Sequence, residues 1–136
     1  MAGPPNAENI VATGPKGTVE YAVRTNGNAE AKAWLSSQST KVRASFGVLF
    51  ERLVNSGSQF SNKTQFRKLQ GMDDVWEFKR GGNRLFCFQH GRRWLLTHPY
   101  KKGHSNKHQT SSGKHAITVA NEHLDRERLA IKKDGK

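Results

Sequence analysis

Two glycine-bearing breaks, Gly81-Gly82 and His90-Gly91, divide residues 75–98 into three short runs dense in apolar and aromatic side chains. Two-residue loops of this kind join antiparallel strands, so the segment is constrained to a meander with strands at about residues 75–80, 84–89 and 93–98. Register then decides what each face carries, because side chains alternate across a strand. With Gly81-Gly82 alone as the first loop, Arg80 faces Asn83 and Lys79 faces Arg84, and Trp76, Phe78, Leu85 and Cys87 share one face. That face is the natural seat for helices. The other presents Glu77, Lys79, Arg84, Phe86 and Phe88, a mixture of cations and rings suited to a phosphate backbone and stacked bases. A three-residue loop, 81–83, would pair Arg80 with Arg84 and exchange the faces; the two-residue loop is the preferred reading.

Upstream, Val19, Tyr21 and Val23 alternate with Glu20, Ala22 and Arg24 before Asn26-Gly27, which predicts a first strand ended by a turn. Asn28 can cap a short helix containing Lys32, Trp34 and Leu35. Ser39 or Thr40 restarts a second, in which Val42, Phe46, Leu49, Phe50, Leu53 and Val54 recur at helical spacing until Gly57. The pair reads as a helical hairpin laid on the sheet, with its aromatics in the core. A polar connector, Ser58 to Gly71, carries Phe60, Phe66 and Leu69 as anchors. Ser105 to Gly113 reads as a mobile polar loop, after which Ile117, Ala120 and Leu124 mark one face of a last helix. The expected fold is α+β: an N-terminal strand and helical hairpin packed on a small antiparallel meander, with a C-terminal helix. Residues 1–17, rich in Gly, Pro, Asn and Ala, read as a flexible lead-in, 18–128 as one domain and 129–136 as a frayed tail.

Charge points to the partner. The net charge is +12, and residues 63–114 hold 12 basic and three acidic side chains. From Phe78 to Asn121 there is no Asp or Glu, against nine Lys or Arg and five of the six histidines. A disordered basic tail would lack large apolar residues, whereas Leu85, Phe86, Phe88, Trp94 and Leu95 can fold, so the charge sits on a scaffold. Nucleic acid is the leading partner class, with binding that weakens steeply in salt. The lone Cys87 excludes an internal disulfide and a multi-cysteine zinc site, and fits a reducing cytoplasm. No apolar run approaches the roughly 20 residues of a membrane span, and Met1 to Pro15 has no hydrophobic signal core. The chain therefore reads as a soluble cytoplasmic protein.

Val75-Trp76-Glu77-Phe78-Lys79-Arg80, Asn83-Arg84-Leu85-Phe86, Leu95-Leu96-Thr97-His98 and Tyr100-Lys101-Lys102, in that order, resemble the RelE/HigB group of toxins from type II toxin-antitoxin systems, including the phage-derived branch. The resemblance covers about residues 19–128. It implies a compact α+β fold and metal-independent cleavage of messenger RNA in the ribosomal A site, with no cofactor. It also implies a neutralising antitoxin, for which a helix-turn-helix protein is expected. By resemblance, Arg84 is a phosphate and transition-state ligand and Lys102 lies beside it. Family members often carry lysines on the strand of Glu77 and Lys79; Glu77 departs from that pattern, as in HigB-like members, which leaves the general base unassigned.

The chemistry of such a reaction narrows the candidates. Metal-free RNA cleavage needs a base for the ribose 2′-OH, stabilisation of the phosphorane-like charge and an acid for the leaving 5′ oxygen. Histidine suits the first and last tasks and Arg or Lys the middle one. His98, His104 and His108 are candidates by position, beside Tyr100, Lys101 and Lys102. Tyr100 can act as a base if a cationic site lowers its pKa, or can stack on a nucleobase. The catalytic set is thus Arg84, Lys102, His98, Tyr100 and His104, and the RNA-binding set Lys79, Arg80, Phe86, Lys101, Lys107 and His108.

Plainer readings stand beside these. Arg84 and the Lys101-Lys102 pair can be solvated strand and loop charges, and His90 and His123 surface residues. His115 falls near the last helix's N-terminus, where a cation gains nothing from the dipole. His98, His104 and His108 could ligate a metal, but the intervening Ser-Asn-Lys and Gly103 argue for a loop, and no metal site is expected. At the level of function the alternatives are a ParE-like, non-catalytic gyrase-binding toxin and a non-catalytic nucleic-acid-binding phage accessory protein.

Overall fold

The computed structural model describes residues 7–60, 65–101 and 106–134, with no account of side chains at 7, 59, 60, 101, 106–110 and 132–134. Six strands form one mixed sheet in the order β1-β2-β6-β5-β4-β3. They are β1 (Ile10–Gly14), β2 (Gly17–Tyr21), β3 (Phe66–Lys68), β4 (Val75–Arg80), β5 (Asn83–His90) and β6 (Arg93–Lys101). The helices are α1 (Glu30–Ser36), α2 (Thr40–Ser56) and α3 (Asn106–Asp134). The α+β class, the N-terminal strand, the helical hairpin and the C-terminal helix are all present as the sequence implies.

The β4–β5 ladder pairs Arg80 with Asn83, Lys79 with Arg84 and Trp76 with Cys87, which is the register of a two-residue Gly81-Gly82 loop. Gly81 adopts φ +58°, the left-handed conformation that such turns require and that glycine reaches without penalty. Phe78, Leu85 and Cys87 consequently join Phe46, Leu49, Phe50 and Leu53 of α2 in the main core. Ser39 caps α2 by accepting from the Val42 N–H at 3.2 Å. Burial pushes the Cys87 thiol pKa well up, with the Glu77 charge adding to it, so this cysteine is a small core residue.

Three differences from the sequence reading matter for function. The sheet is larger than a meander: β1 forms within the stretch read as a lead-in and pairs with β2, β2 pairs with β6 in parallel, and β3 adds the other edge. The helix α3 begins at Asn106, through the segment read as a loop, and continues to Asp134 through the residues read as a tail. Gly113 is not a breaker here. It lies inside α3 where the helix meets the connector before β4, and an added Cβ would come within 2.7 Å of the Leu69 side chain. Third, α3 packs on the sheet face opposite α2, with Ala116, Val119 and Ala120 buried against Val75, Phe86 and Leu95. Both sheet faces therefore carry helices, and the molecule has three layers.

Candidate nucleic-acid interface and active site

Strict alternation along β6 from Trp94, which faces α2, would send Leu96 and His98 to the same side. The ladder shows otherwise. Cys87 pairs with Leu96 but Phe86 pairs with His98, so Thr97 is one extra residue on β6, a β-bulge. The bulge resets the alternation. Beyond it, His98 and Tyr100 point to the α3 side, opposite Phe86 and Arg84 respectively. Three strands thereby align Lys79, Arg84 and Tyr100 in one row, and Glu77, Phe86 and His98 in the next.

The first row contains the exchangeable chemistry. Arg84 Nη1 donates to the carbonyls of Gly81 at 3.1 Å and Asn83 at 3.3 Å, and among the described residues it pairs with no carboxylate. Three arginines around the sheet are instead tied to carboxylates: Arg67 binds Glu77 at 2.7 Å, Arg24 binds Glu122 at 2.9 Å, and Arg93 binds Glu20 at 2.8 Å. Tyr100 has its phenol pKa raised, by burial first and by the Glu77 charge second, against the opposing effect of Arg84. The lowered pKa that a base role for Tyr100 called for is therefore not found, and the protonated phenol offers an O–H donor at neutral pH. Lys79, Arg84 and Tyr100 are each partly exposed. A shallow pocket of about 240 Å³, lined by Trp34, Asn83, Pro99 and Tyr100, adjoins this row.

Other sequence candidates fall elsewhere. Phe86 is 0% exposed beneath α3 and cannot stack on a nucleobase; the helix that covers it begins in the segment read as a loop. Arg80 points to the opposite face, where its Nε donates to the Ser45 carbonyl of α2 at 3.1 Å, so it clips the hairpin to the sheet. Phe88 is partly buried against Leu95 and Leu124. Lys102 and His104 lie outside the described residues, as do the side chains of Lys101, Lys107 and His108.

His98 is 6% exposed, ring-to-ring with Phe86 at 5.0 Å and edge-to-face with His115 at 4.7 Å. The Thr97 hydroxyl donates to the Phe86 carbonyl at 3.2 Å, so toward His98 Nδ1, 3.1 Å away, it can only accept. The proton therefore sits on Nδ1, and Nε2 is bare, buried and, among the described residues, without a hydrogen-bond partner. Burial, then the His115 charge, lowers the His98 pKa to about 4. Its folded pKa lies below the ordinary 6.5, so its contribution to stability is complete above pH 6.5 and is lost as pH falls through about 4. His98→Gln is accordingly expected to flatten the decline of urea midpoints between those pH values; an unchanged decline would contradict this environment for His98.

Several acidic groups are tied up in clasps with α3. Arg24 bridges Glu30 of α1 and Glu122 of α3, which holds the Glu122 carboxyl at about 2. Arg93 donates to both Glu20 and Glu127. His123, read as a surface residue, is buried and accepts from the Val23 N–H at 2.9 Å, with Nε2 3.2 Å from Glu127. Glu20, His123 and Glu127 approach within 4.8 Å of one another, a spacing that suits a metal, but the Arg93 guanidinium already supplies the positive charge between the carboxylates. His115 was not among the candidates read from the sequence; its Nε2 lies 3.1 Å from both Glu30 oxygens, a contact spanning 85 positions that no local pattern announces.

Residues 33–125, from α1 through most of α3, match the family described as phage derived protein Gp49-like (DUF891). The chain belongs to the Gp49-like family. This is a type II toxin family of Gp49/HigB-like character, and membership implies an antitoxin as partner. No curated protein matches the chain. The matched span contains the whole Lys79–Arg84–Tyr100 row, the Thr97 bulge and His115. No described helix of this Gp49-like protein is long and apolar enough to cross a membrane.

Proposed function

We propose that this protein is the toxin of a type II toxin-antitoxin system, of the RelE/HigB kind, and acts as a ribosome-dependent, metal-independent messenger RNA endonuclease. The observation that carries the reading is the row Lys79–Arg84–Tyr100, in which a guanidinium that among the described residues meets carbonyls and no carboxylate stands opposite a protonated phenol. Arg84 holds the scissile phosphate and stabilises the charge that grows on it, Lys79 adds a second cation, and the Tyr100 O–H donates toward the leaving 5′ oxygen. Lys102, by resemblance, lies beside Arg84. The antitoxin neutralises the site in the absence of stress. Primer extension on messenger RNA after induction tests the reading: cuts in register with codons are expected. Growth arrest without such cuts would overturn it in favour of a non-catalytic toxin.

A further inference from the structure

We propose that His115, oriented by Glu30 and seated against the buried His98, is the proton-transfer residue of this site. The inference rests on the ribonuclease reading above and names the base that the sequence left open.

Three geometric facts select His115 over His98. The bare nitrogen of His98 is sealed from solvent, so it cannot meet a ribose hydroxyl in this arrangement. The ring directly against it belongs to His115, whose side chain is 36% exposed. His115 is also held in one tautomer: a carboxylate only accepts, so the Nε2 atom 3.1 Å from both Glu30 oxygens carries the proton. That leaves Nδ1 as the acceptor, with no hydrogen-bond partner among the described residues. Glu30 is itself fixed by Arg24 at 3.0 Å, so the orienting carboxylate does not wander.

Placement completes the case. His98 sits one row, about 7 Å, from the Arg84–Tyr100 row on the same sheet face, and His115 lies against it on the α3 side. One nucleotide can then present its phosphate to Arg84 and its ribose to His115. In the step, His115 Nδ1 takes the 2′-OH proton while the 2′ oxygen bonds to phosphorus. The bond from phosphorus to the 5′ oxygen breaks, and that oxygen takes the Tyr100 proton. The products are a 2′,3′-cyclic phosphate and a 5′-hydroxyl, and the imidazolium returns its proton to the phenolate through solvent. The groups facing His115 are Glu30 and Arg24 from the α1 side and His98 from β6. A His98 that stays neutral adds no positive charge next to the imidazolium formed in the step.

The test uses the purified full chain on messenger RNA bound in ribosomes. His115→Ala is expected to lose at least about 100-fold in cleavage, and added imidazole to restore part of it, which a purely structural clasp would not allow. Glu30→Gln is expected to lower kcat with KM little changed, because the imidazole loses the carboxylate that fixes its tautomer. His98→Gln is expected to lose less than about tenfold. A folded His115→Ala protein that cuts at the wild-type rate overturns the inference while leaving the ribonuclease reading intact. So does loss without imidazole rescue. Wild-type protein that makes no cuts overturns both.

Discussion

Arg84→Ala is expected to abolish growth arrest and to reduce messenger RNA cleavage by about 100-fold to 1,000-fold, the effect typical of removing one donor from a charge-stabilising site. The fold is expected to survive, because what is lost is two hydrogen bonds from Nη1 to the carbonyls of an exposed turn. Unchanged melting behaviour with lost cleavage therefore separates a catalytic role from a structural one. Arg84→Lys keeps the charge but not the planar fork, so it is expected to fall between wild type and alanine. Full toxicity of Arg84→Ala would sink the assignment of this residue.

The largest effect on stability is expected from Arg93→Met. Glu20 is fully buried, and burial alone would raise its carboxyl pKa; hydrogen bonds from Arg93 and Thr18 more than offset this, so the pKa lies below its ordinary value. Removing Arg93 strands that charge, and also frees Glu127 of α3. Breaking one side of a buried pair costs roughly 3–5 kcal/mol, a large share of the roughly 5–15 kcal/mol that holds a typical domain. Urea denaturation reads it directly. The double variant Glu20→Gln with Arg93→Met recovers part of the loss if the stranded charge is the cause, and no recovery would show that packing of the Arg93 stem dominates. With the Glu20 pKa lowered, the stability from this pair is present above about pH 4.5 and is lost as the medium is acidified further.

The parts of this molecule that local rules govern were legible in the residues. The Gly81-Gly82 turn fixes its register by its length, and with it the burial of Trp76, Phe78, Leu85 and Cys87 follows from alternation alone. Phe86 shows where such reasoning stops. Alternation assigns it a face, but whether that face meets water depends on α3, whose first turns were hidden by Gly113 and a run of polar residues. The strand β1 was hidden because Ile10, Val11 and Ala12 alternate too briefly, amid Gly and Pro, to outweigh their neighbours. The candidate site divides the same way. Arg84 and Tyr100 are candidates that short-range pattern and resemblance could name, whereas the pairings Glu30–His115 and Glu20–Arg93 join positions far apart in sequence, with no local signature.

The extra residue at Thr97 means that the length of β6, and not only its composition, determines where its chemistry emerges. Residues before it keep their phase with β5, while every residue after it is turned over. A lineage could therefore move His98 and Tyr100 from the hairpin layer to the α3 layer, or back, by gaining or losing one codon, with Trp94, Leu95 and Leu96 undisturbed in the two cores. Among such chains, active and inactive members would be distinguished by a gap in the strand more than by any substitution within it.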